Sequence, residues 1–199
     1  MSPAFGDTIG FTSPGGLGTA TQLANLGNFF TISQPITVTA LGFYDLGAGN
    51  EVDELVGLFS SDAGFTSGTL LTSTSVTVEG NTPVDGYFFQ SITPIDLAPG
   101  TYVVEENTAG NDEWAFGGSG PPITAPGITY DTHQYTLGSA SLIYPTGTAG
   151  AADTAYYGPN FEFTAQAIPE PSSLVLACLG TVFLLLLAAR RHRTTPPAA

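Results

Sequence analysis

Residues Thr69 to Val78 read TLLTSTSVTV. Successive side chains on a strand point to opposite faces, so Leu70, Val76 and Val78 fall on one face with Thr72 and Thr74 between them. The stretch has no Gly, Pro or charge, and its β-branched residues suit a pleated, half-buried surface. Outward from it the same texture recurs. Phe29 to Ser33 is predicted as a first strand, Pro35 to Tyr44 as a second and Leu55 to Ser60 as a third. Tyr87 to Ile95, Thr101 to Glu106, Glu113 to Phe116, Ser141 to Tyr144 and Asn160 to Ala165 follow. Turn signals such as Gly47-Ala48-Gly49-Asn50, Glu79-Gly80-Asn81 and Ala98-Pro99-Gly100 separate these runs. Many short strands between Gly/Pro turns predict an all-β fold, an antiparallel β-sandwich of jelly-roll-like type. Thr19 to Leu26 is expected to form a short turn of helix at best, and Gly117 to Gly127 a loop.

Charge is distributed unevenly along the 199 residues. The formal net charge is −14, from 17 acidic residues and three arginines. Those arginines are Arg190, Arg191 and Arg193, so nothing before position 190 is basic apart from His133. A domain without Lys or Arg has no means of displacing counterions from phosphates, which excludes nucleic acid as a partner. Its carboxylates must face water, accept hydrogen bonds or bind cations. Cys178 is the only cysteine, so no intrachain disulfide exists.

The C-terminal end has its own organisation. Leu174 to Ala189 (LVLACLGTVFLLLLAA) is uncharged, and Arg190, Arg191, His192 and Arg193 follow it directly. Sixteen helical residues span about 24 Å, short of the ~30 Å bilayer core but adequate for a removable segment. The predicted organisation is therefore an acidic sandwich over 1–166, a linker over 167–173, a single transmembrane helix over 174–189 and a basic cytoplasmic tail over 190–199. The positive-inside rule places the arginines in the cytoplasm and the sandwich outside. Within the linker, Pro169, Glu170 and Pro171 cannot continue a strand or helix interior, which leaves an extended stretch that an enzyme can read.

Pro-Glu-Pro, then a hydrophobic helix, then an arginine cluster resembles the PEP-CTERM sorting signal of exported bacterial proteins. The resemblance implies processing by exosortase, an integral-membrane enzyme. It makes Pro169, Glu170 and Pro171 the recognition motif and Arg190, Arg191 and Arg193 the topology stop signal. Thr194 to Ala199 makes this end slightly longer than the usual pattern. A second resemblance covers Ile36 to Glu106, through PITVTALGFYDLG, VGLFSSDAGFTSGTLLTSTSVTV and ITPIDLAPGTYVV. These stretches are similar to DUF4082-like β-sandwich modules of bacterial surface proteins, a likeness that implies a fold and no catalytic residues.

Residues able to do chemistry are few. His133 is the single histidine outside the basic cluster, and one His without an outer Cys argues against zinc. No Gly-x-Ser-x-Gly elbow is present for a serine nucleophile. His133 reads as a loop or strand-edge residue. Glu105-Glu106 and Asp112-Glu113 are carboxylate pairs, but adjacent strand residues point opposite ways, so Glu105 and Glu106 do not act as a couple. Asp45, Asn50, Glu51, Asp53 and Glu54 crowd one Gly-rich loop and are candidate calcium ligands, the alternative being a solvated acidic loop. Trp114 is a candidate sugar contact, with core packing as its alternative. The expectation is a cell-surface or extracellular-matrix protein without enzymatic activity. The alternative is a carbohydrate-binding module that meets extracellular polysaccharide and is stabilised by calcium.

The first residues, MSPAFGDTIGFTSPGG, have neither a basic n-region nor an apolar h-region. Genomic sequence upstream of Met1 is expected to encode both, with a small-residue cleavage site. Sequencing that region decides the point, and an in-frame stop directly upstream would refute it.

Overall fold

Phe29 and Phe30 are neighbours in the chain, yet both are fully buried. Adjacent strand residues face opposite ways, so the sheet carrying them must be covered on both sides. A computed structural model describes residues 7–13, 15, 17–44, 46, 53–108, 113–117, 120–147 and 155–166, all within the unit Met1–Gln166.

The described residues form antiparallel strands and no helix. Three strands open the chain: β1 (Thr8–Ile9), β2 (Phe11–Thr12) and β3 (Leu17–Thr21). Next come β4 (Ala24–Ile32), β5 (Ile36–Tyr44), β6 (Glu54–Ser60) and β7 (Leu70–Val76). After them lie β8 (Tyr87–Leu97), β9 (Gly100–Asn107), β10 (Glu113–Gly117) and β11 (Ile123–Thr124). β12 (Ile128–Leu137), β13 (Ala155–Tyr156) and β14 (Asn160–Ala165) complete the set. One sheet has the order β12-β4-β9-β6-β7 and a second the order β1-β14-β5-β8. Smaller pairings join β13-β10-β3 and β11-β2.

The two large sheets share one core. Phe30, Ile32, Val56, Leu58 and Val104 come from the five-stranded sheet, and Val38, Leu41, Phe43, Phe161 and Phe163 from the four-stranded one. Phe30 stacks on Phe161 across the gap, with ring centroids 4.7 Å apart. The other face of the five-stranded sheet holds Phe29, Phe59 and Val103, covered by Phe65, Leu142 and Tyr144. Residues 138–147, a strap without strand pairing, supply Leu142 and Tyr144. The strap lies so close that a Cβ on Gly27 would meet Pro145, and one on Gly57 would meet Leu142.

Three bulges set which side chains reach the core. Register shifts at Thr39, and Leu41 and Phe43 therefore join Ile36 and Val38 inside. A second shift leaves Leu71 without its own partner, pairing Thr72 with Leu58 but Leu70 with Phe59. Leu70 consequently turns away from Val76 and lies near the position of Gly57, 45% exposed. The third, between Tyr130 and Thr132, turns His133 inward opposite Asn28.

Several sequence expectations are corrected here. Thr19 to Leu26 belongs to β3 and β4 rather than to a helical turn. Ser141 to Tyr144 is strap, because it packs flat over a sheet face instead of joining an edge. The 117–127 loop contains the two-residue β11, paired with β2. His133 lies on β12, an edge strand as one of its two readings allows, but is 3% exposed there, and period-2 reading misses the strand because its bulge breaks the alternation. In urea titrations, Phe30→Ala is expected to lower stability by about 3–5 kcal/mol through cavity formation. Ile123→Ala, at a side chain 60% exposed, should change it by about 0.5 kcal/mol or less.

Candidate functional site

Carboxylates without basic partners must be accommodated by other means, and the surface ones take hydroxyls. Thr31 Oγ1 donates to Asp131 at 2.7 Å, Thr37 Oγ1 to Asp96 at 2.6 Å and Thr39 Oγ1 to Asp7 at 3.2 Å. Asp62 receives the Thr66 amide at 2.7 Å, the Thr66 hydroxyl at 2.6 Å and the Ser67 hydroxyl at 3.1 Å. Those bonds, led by the Thr66 hydroxyl, hold its carboxyl down at about 2. A folded pKa below the ordinary value means support that is present above pH 3.8 and lost as pH falls through about 2.

Glu105 behaves in the opposite way. It lies between Gly27 and Gly57 on the neighbouring strands, on the face that the strap covers. Its exposure is 0%, and neither carboxyl oxygen has a close hydrogen-bond donor. The strap is tied down beside it. Asn107 Nδ2 donates to Ser139 O at 2.8 Å, and the Ile143 amide donates to Asn25 Oδ1 at 3.1 Å. Burial pushes the Glu105 carboxyl up to about 9; the Ile143 amide offsets part of this, and Glu106 adds to it. Glu105 is thus a neutral acid at pH 7.

A second buried polar group occupies the inner face at the β9 end. Glu106, opposite Leu26 and Val56, points inward, as expected for a neighbour of Glu105. Its carboxyl fills the space beside Gly158, where any side chain would collide with it. Burial raises the Tyr87 phenol far above its ordinary value, and Tyr44, Tyr157 and Glu106 add to the effect. Tyr157 is raised to about 12 by burial, and its hydroxyl donates to Gly120 O at 2.6 Å. His133 Nδ1 is 2.9 Å from the Tyr130 hydroxyl, and its ring meets Tyr156 edge-on at 4.7 Å. Sequence reasoning missed this group because its members come from distant strands. Burial keeps Tyr87, Tyr130, Tyr156 and Tyr157 protonated, and His133 faces into the fold.

The candidate calcium loop is only partly described. Asp45, Asn50 and Glu51 lie outside the described residues. Asp53 is exposed, and its Oδ1 accepts the Val78 amide at 2.9 Å. Glu54 is the first residue of β6 and is 2% exposed, so its carboxyl belongs to the interior. Among the described residues no three His, Cys, Asp or Glu side chains come together as a metal group. Trp114 is 9% exposed and packs with Ala24, Leu26 and Tyr156. Of the Asp112-Glu113 pair, Asp112 and the Glu113 side chain lie outside the described residues.

The last described residue is Gln166. Its amide donates to Pro35 O at 3.1 Å, and its Nε2 donates to Asp96 Oδ1 at 2.7 Å and Thr37 Oγ1 at 3.1 Å. The folded domain is thereby fastened up to the residue where the Pro-Glu-Pro segment begins to follow.

Residues 167–193 match the PEP-CTERM protein-sorting motif. The PEP-CTERM match contains Pro169, Glu170 and Pro171 as well as Arg190, Arg191 and Arg193. Such motifs are processed by exosortase and imply a membrane-anchored C-terminal signal with export to the cell surface. The PEP-CTERM residues lie outside the described structure, as does the expected helix over 174–189. Among the described residues no helix is long and apolar enough to cross a membrane. The matched segment does not include the DUF4082-like stretch. No curated protein and no solved structure matches the chain.

Glu105 gives the domain a testable pH response. Its folded pKa lies above the ordinary value, so its contribution is complete below pH 4.5 and is lost as pH rises through about 9. Urea midpoints recorded from pH 5 to 9 should fall for the native chain relative to Glu105→Gln, with the gap widening upward. Parallel profiles would refute the assignment.

Proposed function

We propose that the chain is an exported bacterial surface protein whose residues 1–166 form a non-enzymatic structural or interaction domain, delivered by exosortase acting on residues 167–193. The match of the PEP-CTERM motif at 167–193 carries this reading. The fastening of Gln166 supports a division of labour, with a folded cargo ending where the signal begins. Exosortase reads the Pro169-Glu170-Pro171 segment, the apolar 174–189 run holds it at the membrane, and Arg190, Arg191 and Arg193 stop translocation.

Support for a non-enzymatic cargo comes from the side chains themselves. His133 contacts Tyr130 and Tyr156 within the interior, and Glu105 and Glu106 face opposite sides of one sheet. A sugar platform needs an open ring face, and Trp114 has its ring against Tyr156 with centroids 5.4 Å apart. That packing favours a structural role over carbohydrate recognition at this residue.

Expression with a restored leader, in hosts with and without exosortase, followed by mass spectrometry, tests the proposal. The chain should end near Pro169 only where exosortase is present, and replacing Pro169, Glu170 and Pro171 by Ala should leave it at full length. An intact C-terminus in the exosortase-positive host would overturn the sorting role.

A further inference from the structure

Directly opposite residues on neighbouring strands shield one another with their side chains, and glycine has none to offer. Glu105 has Gly27 beside it on β4 and Gly57 beside it on β6. Leu70 also comes near Gly57 but is itself 45% exposed. The complete burial of Glu105 is therefore mostly the work of the strap over 138–147. Pro145 occupies the space above Gly27, and Leu142 the space above Gly57. Four residues fasten the strap. Ser139 O accepts from Asn107 Nδ2, and the Ile143 amide donates to Asn25 Oδ1. The Tyr144 hydroxyl bonds to Ser61 Oγ at 2.7 Å, and the Thr146 amide donates to Thr136 Oγ1 at 3.3 Å. Packing of Leu142 and Tyr144 on Phe29, Phe59 and Val103 completes the attachment.

Among the described residues no cation faces Glu105. On its own strand Val103 and Asn107 share its face, β4 adds Asn25, and β7 adds Ser73 opposite Gly57. β12 adds Gln134 opposite Gly27, with its Nε2 donating to Phe65 O. The charges on this face are acidic: Asp131, bonded to Thr31, and Asp62, beside Tyr144. Burial raises the Tyr144 phenol above its ordinary value, so it stays neutral. Glu54, Glu106 and His133 point to the opposite face, and Glu106 adds repulsion from there. The Ile143 amide favours a charged Glu105, but burial outweighs it.

We propose that the strap is a pH-released cover: ionisation of Glu105 lifts residues 138–147 from the five-stranded sheet and bares Phe29, Phe59 and Val103, while the strands beneath stay paired. A lifted strap leaves Glu105 in water between two glycines, where it titrates as an ordinary carboxyl. Under the closed strap its pKa is pushed up to about 9. A group whose pKa is higher in the closed form supports closure fully below its ordinary value of 4.5, and that support drains away as pH rises to about 9. Between those values opening becomes about tenfold more favourable with each pH unit. Access to the apolar face beneath the strap thus follows acidity through the neutral range.

Hydrogen exchange of the full chain in detergent, followed at pH 6 and pH 8 by peptide mass spectrometry and corrected for intrinsic rates, tests this cover. Protection of the Ile143 and Thr146 amides should fall about a hundredfold between the two pH values. At both it should lie roughly tenfold or more below that of the β4 and β9 amides, because the strap opens without the sheet. Glu105→Gln should make strap protection level across the range. Leu142→Ala should lower it at both pH values and keep the slope. Strap protection that does not change with pH in the native chain overturns the proposal. So does a slope that Glu105→Gln retains, or strap protection equal to that of β4 and β9, since the strap would then leave only with the whole fold. If Glu105→Gln fails to fold, a level strap profile in Leu142→Ala overturns it instead.

Discussion

The lack of any Lys or Arg before Arg190 is the constraint on which the rest of the domain depends. Salt bridges are unavailable to sixteen of its 17 carboxylates in the ordinary way, Glu170 lying in the sorting segment. Two physical solutions replace them. Surface aspartates accept hydrogen bonds from threonine and serine hydroxyls, as Asp62, Asp96 and Asp131 do. Glu105 is buried and keeps its proton, because desolvation outweighs the nearby Ile143 amide. Asp62 and Glu105 respond to pH in opposite directions, since hydrogen bonds stabilise the charged form of the first and burial the neutral form of the second. The abundance of Thr and Ser is thus electrostatic equipment as well as strand-forming material.

The same constraint shapes what the surface can do. A domain that carries only negative charge repels its own copies and has little attraction for polyanions. All three arginines lie in one short run within the PEP-CTERM match, and Gln166 is bonded to Pro35, Thr37 and Asp96.

Bulges account for most of the distance between sequence pattern and fold. Period-2 reading located β5, β6, β7, β8, β9, β10, β14 and the end of β4 from their alternation and from the Gly/Pro turns between them. It placed Leu70 with Val76 because it assumed an unbroken strand, and the extra residue at Leu71 reverses that assignment. It overlooked β12, where the irregularity at Asp131 hides the alternation and turns His133 inside. The strap was misread as a strand for a related reason. Residues such as Leu142 and Tyr144 are as apolar as strand residues, but they cover a sheet face instead of joining an edge.

The sorting segment was legible from sequence alone, since Pro-Glu-Pro, the apolar run and the arginines are consecutive and their chemistry is local. All-β character and the excess of acidic over basic residues were likewise determined by composition and pattern. Only the tertiary structure decided the rest. It made Glu105 a buried acid by laying the strap over Gly27 and Gly57, and it gathered Tyr87, Tyr157 and Glu106 from separate strands. It also left β7 at the edge of its sheet. Burial, register and edge position are relations between segments far apart in the chain, and no local reading of residues contains them.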